Sequence, residues 1–273
     1  MTPQPERSTA DTDHGTHVQS EPPKTTDFSN DSTNPTFGSQ VHGGGVPDYP
    51  FLSPPLAADE IGRLGDYRIL KKLGEGGMGF VFRGEDPGLK RFIALKVMRP
   101  EVAKKPQAAE RFLREGRAAA GLKSDHIITI YQVGQANGVP FLAMEFLEGL
   151  PLDEWIKGQK KPVPLPQVLR VVRDTLRGLA TAHDKGLIHR DIKPANLWLE
   201  KGTSRIKLLD FGLTRGNDAD MQLTQEGAVV GTPAYMAPEQ ASGKPVDPRA
   251  DLFSVGTVMY QILPARTPSR AAA

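Results

Sequence analysis

The residues able to do chemistry gather in one run, His189-Arg190-Asp191-Ile192-Lys193-Pro194-Ala195-Asn196. It carries a carboxylate, an ammonium two positions later and a carboxamide three beyond that. Apolar runs flank it on both sides, so it reads as a compact polar loop between buried strand-like segments. Such a set can accept a proton, neutralise an anion and offer hard oxygen to a cation. Two further groups could join it. Asp210, in Asp210-Phe211-Gly212, stands 19 residues after Asp191 behind another apolar run. Lys96 sits inside Phe92-Ile93-Ala94-Leu95-Lys96-Val97-Met98, where an ammonium is costly unless anionic partners meet it. The plainer alternative is a lysine reaching out from an edge strand.

The elements that would position these groups can be read in order. Residues 67–73 alternate enough for a strand and run into Gly74-Glu75-Gly76-Gly77-Met78-Gly79. A lone G-x-G-x-x-G is weak, because the element after it decides its use. In dinucleotide folds the glycines open a helix. Here Phe80-Val81-Phe82-Arg83-Gly84 is aromatic and β-branched, so a second strand comes next and the glycines form a hairpin flap. Glycine at such a place permits close backbone approach, although a simple hairpin turn is the alternative. Residues 107–121 read as a helix. Residues 127–133 and 139–144 read as strands joined by a turn at 134–138, and 152–157 as a short helix. Residues 166–183 place apolar side chains at 168, 169, 172, 176, 179 and 180, one helical face with Arg170, Arg173, Asp174 and Arg177 mostly outward. Short strands at 197–199 and 206–209 turn at Gly202, and 250–263 forms a helix apolar nearly all round, which needs cover on every side.

The run at 189–196 matches the pattern H-R-D-x-K-P-x-N residue for residue. It stands in order with the glycine loop, Ile93-Ala94-Leu95-Lys96, Asp210-Phe211-Gly212, Ala237-Pro238-Glu239 and Asp251-Leu252-Phe253-Ser254-Val255-Gly256. On these motifs residues 66–263 resemble the catalytic domain of bacterial serine/threonine protein kinases of the Hanks type. The resemblance implies an α+β, two-lobed fold: a small antiparallel β lobe with one helix and the hinge (66–148), then a mainly helical lobe (149–273) without its last helices. It also implies ATP, Mg²⁺ (Mn²⁺ as an alternative) and protein substrates bearing Ser or Thr hydroxyls. Asp191 would orient or deprotonate the hydroxyl, Lys193 neutralise the γ-phosphate, and Asn196 and Asp210 hold metal. Lys96 would reach the α- and β-phosphates and take a carboxylate from the 107–121 helix, where Glu110 and Glu115 are candidates and Glu115 fits the family position better. Leu73, Gly74, Glu75, Gly76, Gly77, Met78, Gly79, Phe80, Val81, Ala94, Met144, Glu145, Leu147 and Trp198 would surround the nucleotide. Met144 is the gatekeeper, and the backbone of Glu145 and Leu147 meets adenine. Trp198 departs from the family's usual aliphatic residue beneath the base, where an indole could stack but also narrows the pocket. Arg190 would await a phosphate on the loop after Asp210. Thr224 is the candidate acceptor, with a plain loop threonine as the alternative, and Thr232 lies in the docking strip.

Bulk properties bound this reading. Residues 1–60 hold two basic and nine acidic residues, a net of −7, and the remainder 32 basic and 23 acidic, a net of +9. A basic body favours anionic ligands, nucleotides or nucleic acid. The sequence has no basic stripe interleaved with aromatics, so nucleic acid is set aside. The first 60 residues are rich in Pro, Ser, Thr, Asp and Gly, too polar to offset chain entropy, and are expected to be disordered; docking of a short turn at Phe51-Leu52 is the minor alternative. The chain has no cysteine, no apolar run of membrane-spanning length and no secretory-type leader, which suits the cytoplasm. Beyond 263 no further helices are expected, leaving Glu239 without its family arginine. A truncated, inactive fragment that binds nucleotide or protein therefore competes with an active kinase, and a dimer through the β lobe or the uncovered helical surface is an expectation.

Overall fold

Alternating apolar and polar residues build the first part of the chain into a sheet. In the computed structural model, residues 49–211 and 233–263 are described. β1 (Gly62–Leu64), β2 (Tyr67–Glu75), β3 (Gly79–Asp86) and β4 (Arg91–Met98) run as antiparallel neighbours. After α1 (Pro100–Ala103) and α2 (Pro106–Ala120), β5 (Ile130–Ala136) and β6 (Val139–Glu145) complete a six-stranded sheet in the order β1-β2-β3-β4-β6-β5. The register sets Val81 opposite Lys96 and Phe82 opposite Leu95. Side chains alternate across a strand, so Ala94, Lys96 and Met98 share one face and Ile93, Leu95 and Val97 the other. The first face packs with Phe112 of α2, Leu142 and Met144; the second packs with Ile69, Phe82 and Phe141.

Helices dominate the second half. A three-stranded antiparallel sheet of β7 (Gly149–Pro151), β8 (Leu197–Glu200) and β9 (Ile206–Leu208) lies among α3 (Leu152–Gly158), α4 (Leu165–His183), α5 (Pro238–Ala241) and α6 (Arg249–Ile262). Pro166 falls in the first turn of α4, where a missing N–H forfeits no helical bond. The two-lobed α+β arrangement expected from the motifs is present.

Three local expectations need correction. Among the described residues, packing already includes Tyr49, well before the expected boundary at 66: Phe51 and Leu52 are buried in the core of the β lobe, and Ser53 pairs with Arg63. The turn between β5 and β6 is only Asn137-Gly138, both at positive φ, because the strands continue to Ala136. On α4 the buried stripe runs through Val168, Val171, Asp174, Thr175, Gly178, Leu179 and Ala182, whereas Leu169 and Leu176 are exposed. Asp174 turns inward because its carboxylate accepts the N–H of Ile206. The uncovered surface expected on the last helix is seen: α6 buries Ala250, Asp251, Ser254, Val255, Val258 and Ile262, but Leu252, Phe253 and Tyr260 are exposed.

Candidate active site

The loop at 189–196 is held from below by a carboxylate on α6. Asp251, 1% exposed, accepts the backbone N–H of His189 (2.9 Å) and of Arg190 (2.8 Å), and its Oδ2 lies 2.7 Å from His183 Nε2. Gln240 of α5 donates to the carbonyl of Arg190 at 2.9 Å. These bonds fix Arg190 at φ 64°, a left-handed conformation that a non-glycine residue keeps only when its surroundings enforce it. His189 is fully buried, its Nε2 2.7 Å from the carbonyl of Leu209 and its ring 4.7 Å from that of Phe211. Burial pushes its imidazole below the usual histidine range. It therefore ties the 189–196 loop to the Asp210-Phe211 segment as a neutral strut. Sequence reasoning misses Asp251 and Gln240 as site residues. The readable signal is a lone carboxylate opening an otherwise apolar helix.

On this frame the polar groups converge. Lys193 donates to Asp191 Oδ2 at 2.8 Å, and the Asn196 amide donates to the same oxygen at 2.9 Å and to the Asp191 carbonyl at 2.7 Å. The Leu209 N–H binds the Asn196 carbonyl at 2.9 Å, which sets Asp210 beside the loop, and Asp210 Oδ1 pairs with Lys96 Nζ at 2.7 Å. Burial opposes ionisation of Asp210, but Lys96, helped by Lys193, holds its carboxyl below the usual range. Lys96, Asp210, Asn196, Asp191 and Lys193 thus form one connected set.

Glu115 stands apart from it. Among the described residues Lys96 pairs with Asp210 and makes no ion pair with Glu115, whose Oε2 is buried without a hydrogen-bond partner. Burial pushes its pKa up to about 7, against the pull of Arg111, Arg114 and Arg190.

The glycine loop lies over the Lys96 face. A Cβ built on Gly74, Gly76 or Gly77 would meet nothing within 4 Å, so packing does not demand glycine there; at Gly79 it would collide with the carbonyl of Val97. Gly76 and Gly79 bond to each other across the tip. Met78 folds inward onto the cluster of Ala94, Met98, Phe112 and Met144, joined by Leu147. Val81 shares the Lys96 face by register, whereas Phe80 sits on the opposite face against Tyr49 and Phe51. The expectation that the Phe80 side chain lines the nucleotide site is corrected by this alternation. Leu73 is largely exposed, and the Glu75 carboxylate meets Lys72 and Arg99 rather than the cleft. The Glu145 side chain pairs with buried Lys207 at 2.7 Å. Trp198 is half-buried, and its Nε1 donates to the carbonyl of Glu148 at 3.3 Å, so the indole is tethered to the segment joining the lobes. Thr224 and Thr232 lie outside the described residues.

The donor set suits a nucleotide with a hard divalent ion. Asn196 turns its amide nitrogen to Asp191, which leaves the amide oxygen, and Asp210 has a second carboxylate oxygen besides the one on Lys96. Such oxygens match magnesium-type ligation completed by phosphates and water. Among the described residues no group of three His, Asp or Glu side chains is placed to hold a metal ion.

Comparison with known proteins points the same way. Residues 67–273 match the family model described as protein kinase domain. The chain is 37% identical over 245 residues to the serine/threonine-protein kinase Pkn1 of Myxococcus xanthus, covering 87% of this chain and 35% of that protein. It is 38% identical over 220 residues to PknB of Mycobacterium leprae, covering 79% and 34%. It therefore spans about a third of the length of these curated relatives. The crystal structure of the Mycobacterium tuberculosis PknI kinase domain superposes with a TM-score of 0.61 at 30% identity, covering 77% of each chain. With its loop, its lysine and its glycine flap on one fold, the chain belongs to the protein kinase family.

Proposed function

We propose that this chain transfers the γ-phosphoryl group of ATP to serine or threonine hydroxyls of proteins. The observation that supports this most directly is that the Lys96–Asp210 pair and the Asn196–Asp191–Lys193 cluster are held side by side, joined through the bond from the Leu209 N–H to the Asn196 carbonyl. Bound ATP with Mg²⁺ (or Mn²⁺) supplies the phosphoryl group and neutralises the charge that develops on it. Asp191 orients the acceptor hydroxyl and takes its proton, while Lys193 neutralises the γ-phosphate. Asn196 and Asp210 ligate the metal, and Lys96 meets the α- and β-phosphates. Backbone groups of Glu145 and Leu147 hold adenine, with Ala94, Val81, Met144 and Trp198 around it.

The Lys96–Asp210 pair describes a resting arrangement. For turnover Lys96 exchanges Asp210 for phosphate oxygens and Glu115, whose orphaned carboxylate is the group in need of a cation. Phosphorylation at Thr224, read by Arg190, is the proposed trigger. Location in the cytoplasm and self-association through the open apolar faces of α4 and α6 belong to the same reading; among the described residues no helix is long and apolar enough to cross a membrane.

Transfer of radiolabelled phosphate from ATP, by the purified chain to itself or to a basic protein, tests the proposal. Asp191→Asn should reduce the rate by roughly 10²–10⁴-fold while Mg-ATP still raises the melting temperature. Undiminished transfer in that variant, or no response of the parent chain to Mg-ATP, would overturn it.

A further inference from the structure

The segment before β1 is bound to the lobe with more specificity than a polar leader requires. Asn137, at the β5–β6 turn, donates to the Phe51 carbonyl at 2.9 Å and to Ser53 Oγ at 3.2 Å. Ser53 and Arg63 exchange both backbone bonds, at 2.8 and 2.9 Å. Gly62 lets the two strands cross closely: at its φ of 155°, a Cβ would lie 2.8 Å from the Ser53 carbonyl. Further along, Glu60 is buried and ion-paired with Arg63 and Arg68. The strap is therefore anchored at several points, on β1, on β2 and on the β5–β6 turn.

Its aromatic rings reach the return strand of the glycine loop. Tyr49 packs edge-on against Phe80 (centroids 5.3 Å, 74°) and Phe82 (5.0 Å, 87°), and Phe51 stacks on Phe80 (5.8 Å, 25°). Phe80 adjoins Gly79, the glycine that must lie against the Val97 carbonyl. Arg99 meets the same ring, its guanidinium carbon 4.5 Å from the centroid, and donates through Nε to the Gly76 carbonyl at the loop tip at 3.0 Å. Arg99 also reaches Glu75 at 3.8 Å, and its backbone N–H binds the Met78 carbonyl. Phe80 is thus gripped by two strap rings and by an arginine that holds the tip.

We infer that Tyr49 and Phe51 are positioning residues for the glycine loop, clamping it through Phe80 and Arg99 in the place where its amides meet a nucleotide. The inference deepens the kinase reading and rests on it for the ligand alone. Aromatic pairs prefer edge-on or offset packing, so they define an orientation as well as burying area. A flap that is glycine at 74, 76, 77 and 79 has few side chains of its own to hold it, so an external grip matters. Met78 and the Gly76–Gly79 bonds supply the inner grip, and the strap supplies the outer one.

The test uses the full chain with Tyr49→Ala, Phe51→Ala, and Tyr49→Leu and Phe51→Leu, which keep apolar bulk without the ring. Tyr67→Ala serves as the control. Tyr67 packs on the same core against Phe141, but at the start of β2, away from the loop. Amide hydrogen exchange over residues 74–80 and calorimetric titration with Mg-ATP are measured for each. The strap variants should show faster exchange in the loop and roughly threefold to tenfold weaker Mg-ATP binding, the scale of one aromatic pair. Their KM for ATP should rise with little change in kcat. Tyr67→Ala should lower the melting temperature without either change. Loop exchange in the strap variants equal to that of Tyr67→Ala would overturn the clamp, whatever happens to melting. Failure of the parent chain to bind Mg-ATP would instead strike the kinase reading, and the exchange comparison would still decide the clamp.

Discussion

Three carboxylates illustrate how burial acts on single residues. Glu115 and Glu60 are shifted in opposite directions. Glu115 is pushed up to about 7 from 4.5, because burial is not offset by a bonded cation. The folded form therefore binds the extra proton, and the cost of charging Glu115 is absent below about 4.5 and complete above about 7. Stability should fall as pH rises through that window, and Glu115→Gln should remove the slope; melting curves from pH 5 to 8 check both. Burial also works against Glu60, but the N–H of Leu56 with Arg68 and Arg63 brings it down to about 2. Its contribution is present above 4.5 and lost as pH falls toward about 2, so Glu60→Gln should flatten the acid limb of melting curves extended from pH 5 down to about 2. Asp251 is the third. Each buried donor left unpaired costs about 1–3 kcal/mol, and Asp251 serves two backbone N–H groups and His183. Asp251→Ala should lower stability by roughly 3 kcal/mol or more, read from denaturant midpoints. It should also abolish transfer, because Arg190 and Asp191 lose their frame.

At the level of elements, α2 decides where Glu115 stands, and Gly116 decides where α2 stands. A Cβ there would lie 2.6 Å from Leu142 Cδ2 and 3.4 Å from Val133 Cγ1. Alanine in place of a mid-helix glycine gains about 1 kcal/mol of helix propensity, against about 1–3 kcal/mol for overpacking a core. Leu142 is fully buried in β6 and cannot swing out, so the second term should win. Gly116→Ala is expected to destabilise the lobe in chemical denaturation and to move Glu115 further from Lys96. Elements such as α2, β4 and α6 are legible in the sequence because their periodicity is strong and their packing local. The motif loops are legible because chemistry constrains residue type as well as spacing. The face of α4 is misread because it carries apolar residues on two sides, and periodicity cannot say which side meets β9 and α6. Asp174 looks like a surface charge for the same reason. The strap at 49–60 looks like polar leader: its contact depends on a few aromatics and on Asn137, 86 residues from Phe51, a pairing no local pattern announces. The pairing of Lys96 with Asp210 instead of Glu115 cannot be read either, since both partners are legitimate and the choice depends on where α2 rests.

Across the whole molecule, the site is built where two differently made halves meet: Lys96 and the glycine flap come from the sheet, and Asp191, Lys193, Asn196 and Asp210 from the helical half. Among the described residues, Leu165, Leu169 and Leu176 on α4 and Leu252, Phe253 and Tyr260 on α6 are large apolar side chains left exposed, and exposed apolar groups favour association when they gather. Sedimentation should show association that depends on concentration, and Leu169→Lys with Phe253→Lys should weaken it. The tethered indole gives the molecule a further property. The sequence has two tryptophans; Trp155 is buried in α3, and Trp198 lies two residues beyond Asn196 with its ring fixed to Glu148. The protein thus carries its own optical reporter: ultraviolet emission should change in intensity when a purine slides against that ring, and Trp198→Phe should silence the signal without touching the light from Trp155.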